Sequence, residues 1–235
     1  MTGVAALAER CVRLARDRRA LVGVAGAPGA GKSTVAAALV AALGERDVPA
    51  VVVPMDGFHL ADAALVRLGR RERKGAPDTF DVAGYLALLG RLRDEGATVW
   101  APEFRREIED AVAGAIEVPP AVRVVVTEGN YLLGSLTPDR TVVTSAADPW
   151  VGVRGLLDEV WYLDLPDDVR RARLVARHVA HGRTPADAEA WVARSDEANA
   201  RVVAALRDRA DLVVDGSGLE RHLPAPSRPE EGART

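Results

Sequence analysis

At 235 residues the chain is long enough for one sizeable α/β core and too short for two full domains with linkers. Its 31 basic residues against 34 acidic ones give no overall attraction to nucleic acid or to an anionic membrane surface, so any anion binding has to be local. The single cysteine, Cys11, excludes an internal disulfide and a cysteine-based metal site, and arginines scattered through the N-terminal segment leave no apolar run for a signal peptide or a membrane span. A cytoplasmic protein with no nucleic-acid or membrane partner is the expectation.

Val4, Leu7, Ala8, Cys11, Leu14 and Ala15 recur at three- and four-residue steps, which predicts an amphipathic helix over 4–19 with Cys11 as a packing residue. An apolar run at 21–25 then meets a glycine-rich segment, and the alanine-rich stretch 32–43 reads as a helix ending at Gly44. Further short apolar runs at 50–53, 122–127, 160–163 and 212–214 suit buried parallel strands. Helical patterns lie between and after them, at 61–68, 82–94, 167–181 and 185–209, the last broken once. Strands alternating with helices predict an α/β fold, a parallel sheet with helices on both faces and ligands at the carboxyl ends of the strands. The segment 98–118 reads as an irregular excursion with a short hairpin, 134–155 as a surface loop, and 224–235, rich in proline and charge, as a disordered tail. Residues 1–223 then form a single domain.

Gly26-Ala27-Pro28-Gly29-Ala30-Gly31-Lys32-Ser33-Thr34 fits the pattern G-x-x-x-x-G-K-[ST], with a strand before it and a helix after it. Glycines let successive backbone N–H groups turn toward phosphate oxygens, and the helix aims its N-terminus at the same anion. Lys32 is suited to the β and γ phosphates of ATP, and the Ser33 hydroxyl to Mg²⁺. The chain lacks an Asn-Lys-x-Asp guanine-reading motif and the Leu-Ser-Gly-Gly-Gln signature of transporter ATPases. A carboxylate closely follows the second strand instead, in Met55-Asp56-Gly57-Phe58-His59, where a substrate hydroxyl would need its proton accepted. Asp56 is the candidate base, against the plainer reading of a turn-forming Asp-Gly pair. Phe58 and His59 are candidate substrate contacts.

The phosphate loop, Met55-Asp56-Gly57-Phe58-His59-Leu60, Thr79-Phe80-Asp81 and Thr127-Glu128-Gly129-Asn130-Tyr131 together resemble the uridine kinase, phosphoribulokinase and pantothenate kinase group, from about residue 21 to 214. Within it the chain is most similar to a nucleoside/nucleotide kinase family, some of whose members are labelled fructokinases or uridine kinases. The resemblance implies a P-loop NTPase three-layer fold that moves the γ-phosphoryl group of ATP to a hydroxyl of a small metabolite. It makes Asp56 the catalytic aspartate and Glu128 the acidic residue near Mg²⁺ and substrate. Asp164 also ends a predicted strand, and Glu128 is favoured over it because Gly129 permits close approach of a ligand. Tyr131 and Asp81 join the candidate substrate contacts, with capping of the helix beginning at Val82 the preferred account of Asp81 and substrate contact an addition to it. Trp100-Ala101-Pro102-Glu103-Phe104-Arg105-Arg106-Glu107-Ile108-Glu109-Asp110 resembles the group's Pro-x-Phe-Asp-Arg segment, except that Arg105 replaces an aspartate. Arg106 keeps the pattern, as a partner for a substrate anion or for Glu109.

Arg170, Arg173 and Arg177 share a helix face where related kinases carry a lid, placed here at about 167–190. Arg173 and Arg177 are the candidates for charge stabilisation over the phosphates. Arg170 reads better as part of a solvated basic face offset by Asp167, Asp168, Asp187 and Glu189. His178 and His181 have no metal-ligand spacing, so zinc is not expected. The acceptor could be a nucleoside, a sugar or a pantothenate-like alcohol, with 3 Phe, 3 Tyr and 4 Trp tilting the choice toward a sugar or polyol. A homodimer is one assembly the reading allows. The competing function is a non-catalytic, regulatory ATP-binding protein built on the same loop.

Overall fold

A computed structural model of the chain describes residues 3–135 and 148–220. The expected tail at 224–235 and the middle of the 134–155 stretch lie outside the described residues.

Helix α1 (Val4–Leu14) leads into β1 (Ala20–Ala25), and α2 (Lys32–Gly44) follows the glycine-rich turn. Next come β2 (Ala50–Val52), α3 (Asp62–Arg67) and α4 (Val82–Leu92), then the hairpin strands β3 (Val99–Arg105) and β4 (Asp110–Val118). β5 (Val124–Gly129), α5 (Val151–Leu156), β6 (Glu159–Asp164), α6 (Asp167–Ala180), α7 (Pro185–Trp191), α8 (Glu197–Ala204), β7 (Leu212–Asp215) and α9 (Gly216–Glu220) complete the order. β2, β5, β1, β6 and β7 lie side by side in that order, every pairing parallel.

The central strands are continuous apolar runs because both faces of the sheet are covered. Side chains alternate between the faces, as the two-residue period of a strand requires. Val22, Val24, Val124 and Val126 join Leu7, Cys11, Leu39 and Leu43 on the side of α1 and α2. Leu21, Ala25 and Val125 join Tyr85, Leu89, Trp150 and Val153 on the side of α4 and α5. Each such fully buried large side chain contributes roughly 1.5–3 kcal/mol, which makes this sheet the fixed frame of the molecule. Arg19, 1% exposed, precedes β1 and donates to the carbonyls of Leu92, Pro119, Pro120 and Val122 at 2.9–3.3 Å, closing the amino end of the sheet.

The structure bears out the hairpin expected in 98–118 but corrects the reading of that segment as irregular and of 134–155 as a surface loop. The excursion at 98–118 is a regular antiparallel two-stranded sheet, with a register shift between Ala101 and Glu103. Pro102 lies at that irregularity, where a residue without an N–H does not break a ladder. At the described ends of the 134–155 stretch Gly134, Ser135, Asp148, Trp150 and Val153 are buried, while Pro149, Gly152 and Gly155 are exposed. Asp148 accepts hydrogen bonds from the Ser135 N–H and hydroxyl, both at 2.9 Å, and Trp150 beside it is fully buried. The break expected within 185–209 is a single π-helical turn, Val192–Asp196, between α7 and α8.

Candidate active site

The glycine-rich turn joins the carboxyl end of β1 to the N-terminus of α2, and Gly31 at its end has φ 91°. No side chain caps α2, so its first N–H groups point into the turn uncapped. Gly29 has φ 81°, and a β-carbon there would sit 2.7 Å from the Arg170 carbonyl oxygen. The loop therefore requires glycine both for its conformation and for the close approach of α6.

Lys32 Nζ donates to the carbonyls of Gly26 at 2.9 Å and Ala27 at 3.2 Å, and to Asn130 Oδ1 at 2.8 Å. Burial pushes its ammonium below the ordinary value, opposed by the charges of Glu128 and Asp56. Beside it the Ser33 hydroxyl donates to Glu128 Oε1 at 2.9 Å. Glu128 reaches this place because β5 pairs with β1 in a register that sets Val24 opposite Glu128. Burial, and then the nearby Asp56, push its carboxyl above the ordinary range, while Lys32, Ser33 and Arg106 pull the other way.

Asp56 stands on a 3₁₀ turn, Met55–Phe58, beyond the end of β2. A β-carbon on its neighbour Gly57 would run into the Pro102 carbonyl of β3, so this glycine is what lets the hairpin lie against the turn that carries Asp56. His59 closes the turn, its Nδ1 2.8 Å from the Asp56 carbonyl oxygen and 4.0 Å from the Asp56 carboxylate. Its ring packs on Phe80 at 4.0 Å and Phe104 at 4.9 Å between centroids, and burial lowers its pKa.

These groups line one cleft of about 830 Å³. Of the predicted residues, Pro28, Gly29, Gly31, Lys32, Ser33, Thr34, Asp56, His59, Arg106, Glu128, Arg173 and Arg177 face it. Gly26 and Ala27 stand behind, offering carbonyls to Lys32, and Ala30 is buried. Three expected substrate contacts lie elsewhere. Phe58 packs on Tyr85 in the core, centroids 5.0 Å apart. Tyr131 is fully buried, its hydroxyl donating to the Gly75 carbonyl at 2.6 Å. Asp81 caps α4 by accepting from the Gly84 N–H at 2.9 Å. Core packing consumes Phe58 and Tyr131, which adjacency in sequence to a site motif does not reveal, and the cap expected at Asp81 is formed.

Asp164 and Glu128 are separated by environment. The Asp164 side chain is 47% exposed and paired with Arg207 at 3.0 Å outside the cleft, whereas Glu128 is 6% exposed and bonded to Ser33. Arg105 also lies outside, on the exposed hairpin beside Glu103 at 3.4 Å. Arg177 projects from α6 toward the cleft, and burial, then the like charge of Arg106 on the hairpin, lower its pKa. Arg170 is corrected most. Rather than belonging to a solvated face it is 1% exposed, bonded to Pro28, Asp167 and Glu197. Burial works against its charge, and those two carboxylates more than offset it, so its pKa rises.

Sequence reasoning passed over several lining groups. Asn130 follows Glu128-Gly129 directly, a position that could have flagged it as a partner for Lys32. His178 Nε2 lies 2.9 Å from Asp196 Oδ2, a pair assembled by the π turn and invisible to local spacing. Lys74 bonds to Asp62 at 2.6 Å and to the Glu109 carbonyl, tying α3 to the hairpin. Ser33 and Glu128 offer hard oxygens, which fits a small divalent cation held partly by phosphates and water. No group of three or more His, Cys, Asp or Glu side chains that could hold a metal ion occurs among the described residues. No helix among them is long and apolar enough to cross a membrane.

A parallel sheet of this order, with an uncapped helix behind a glycine turn at the carboxyl end of its first strand, defines a P-loop NTPase fold. The chain belongs to the phosphoribulokinase / uridine kinase family, whose model matches residues 21–220. It is similar to a solved structure from Silicibacter sp. TM1040, named a "putative fructose transport system kinase", at 40% identity and a TM-score of 0.78, covering 90% of this chain and 98% of that one. A Schizosaccharomyces pombe protein named a "putative uridine kinase" is 35% identical over 81% of this chain and 79% of its own. An ATP-dependent kinase-like protein of Aspergillus versicolor is 35% identical over 71% of this chain and 96% of its own. These relationships make the protein a small-molecule kinase that uses ATP.

Proposed function

We propose that the chain transfers the γ-phosphoryl group of ATP to a hydroxyl of a nucleoside, sugar or pantothenate-like alcohol. The convergence of Asp56, Glu128, Lys32 and Ser33 on one cleft, opposite Arg106, Arg173 and Arg177, carries this reading. The names of the relatives, which point to uridine and to fructose transport, span nucleoside and sugar acceptors.

In this reading the loop N–H groups and Lys32 bind the triphosphate, and the acceptor lies between Asp56 and the ring cluster of His59, Phe80 and Phe104. The acceptor oxygen attacks the γ-phosphorus, the bond to the β–γ bridging oxygen breaks, and the hydroxyl proton passes to Asp56. Arg173 and Arg177 spread the charge that develops on the transferring group, their planar guanidinium forks matched to phosphate oxygens. Ser33 and Glu128 would hold Mg²⁺, which when bound neutralises phosphate charge. Closure of the arginine-bearing wall keeps out water, a competing acceptor.

An ATP-consumption screen across nucleosides, sugars, polyols and vitamins identifies the acceptor, and Asp56→Asn tests the mechanism on it. The variant is expected to bind ATP within about twofold of wild type and to lose transfer by roughly 10²-fold or more. Transfer at the wild-type rate removes Asp56 from its role, and binding of ATP with no turnover on any acceptor removes the kinase reading.

A further inference from the structure

Arg170 lies outside the cleft, whereas Pro28 and Gly29 line it. Its guanidinium donates from Nη1 to the Pro28 carbonyl at 3.1 Å, and from Nη2 to Asp167 Oδ1 at 2.9 Å and Glu197 Oε1 at 2.6 Å. The two carboxylates hold the fork through Nε and Nη2, and Nη1 is directed at the loop carbonyl. Glu197 is itself held in place by the π turn. Adjacent residues Asp196 and Glu197 grip His178 at 2.9 Å and Arg170 at 2.6 Å, two α6 positions about 12 Å apart along the helix axis.

The consequence follows from peptide geometry. In a planar trans peptide the C=O and the following N–H point in opposite directions. A Pro28 carbonyl drawn outward to a buried Arg170 therefore turns the Gly29 N–H inward, toward the cleft. Proline at 28 offers no N–H of its own, so this side of the loop depends on Gly29 for a donor. Gly29 in turn is seated against α6, where a β-carbon would meet Leu174 Cγ at 2.9 Å as well as the Arg170 carbonyl.

We propose that Arg170 is a positioning residue of the phosphate loop, fixing the peptide that joins Pro28 and Gly29 so that the Gly29 N–H faces the nucleotide phosphates. Glu197 and Asp167 hold the guanidinium for that task. The proposal rests on the nucleotide-binding half of the functional reading, and the acceptor does not enter it.

Arg170→Met and Arg170→Lys test it, with ATP affinity measured by calorimetry, the ATP-induced shift of the Gly29 amide by ¹⁵N NMR, and folding by thermal denaturation. Arg170→Met is expected to bind ATP about tenfold more weakly or worse, with the Gly29 response lost, and Arg170→Lys to fall between it and wild type. Wild-type affinity in Arg170→Met, or a Gly29 amide that responds to ATP as in wild type, overturns the proposal. A purely structural arginine would lower the melting temperature and leave the amide response intact. Should Arg170→Met not fold, Arg170→Lys decides: affinity about threefold weaker supports the positioning role, and unchanged affinity overturns it. Wild-type protein that binds no ATP would instead defeat the functional reading itself.

Discussion

The two halves of the cleft are built by different means. The half proposed for the phosphates stands on the central strands β1 and β5, where Lys32 is tied to the backbone carbonyls of Gly26 and Ala27 and Ser33 bonds to the buried Glu128. The acceptor half stands on the turn at Met55–Phe58, on α3 and on the separate β3–β4 sheet, and is joined by side-chain contacts such as Lys74 with Asp62. Phosphate is the same in every kinase reaction, so a rigid cradle of peptide groups serves it. An acceptor varies, and side chains on irregular elements are where variation disturbs the frame least.

If this division holds, damage in each half should appear in a different kinetic parameter. Glu128→Gln carries the largest expected effect. It should lower kcat by roughly 10²- to 10³-fold while ATP affinity stays within about threefold, as read by steady-state kinetics and calorimetry. A variant with near-normal turnover would mean that the buried carboxylate beside Ser33 is only structural. Gly57→Ala sharpens the contrast from the other side. Its new methyl presses on the Pro102 backbone, which has no cheap way to yield, and the hairpin must shift. KM for the acceptor should rise about tenfold with ATP affinity within about twofold. Equal weakening of both would show that the halves are not separable. Arg105→Asp, which restores the residue expected from the resemblance, should change either constant by less than about twofold, because an exposed pair on the hairpin contributes little. A large change there would extend the acceptor half beyond the cleft.

The same division explains what the sequence disclosed. The parallel sheet and the phosphate loop were legible, since apolar runs report buried strands and the glycine pattern reports a backbone conformation. Glu128 is placed by the resemblance and by its position at the end of a predicted strand, and the pairing of β5 with β1 sets it beside Ser33. Phe58 and Tyr131 misled because they adjoin site motifs while their side chains serve the core, whereas the capping role expected for Asp81 is the one the fold shows. Arg170 misled in the opposite direction: its spacing matched a solvated stripe, and only the fold brings Glu197 and Pro28 to it. His178 and Asp196 depend on a π turn, whose phase shift no three- or four-residue rule anticipates. What local periodicity encodes was readable, and what long-range assembly creates was not.

The seating of the hairpin on Gly57 has one more consequence. Because among the described residues β3 and β4 pair only with each other, their sequence can change without re-registering any strand of the main sheet. A lineage could rewrite this flap and its tip repeatedly, trading one alcohol for another, while the machinery that handles ATP is inherited unaltered. Gly57, which does not line the cleft, is the point on which this hairpin rests.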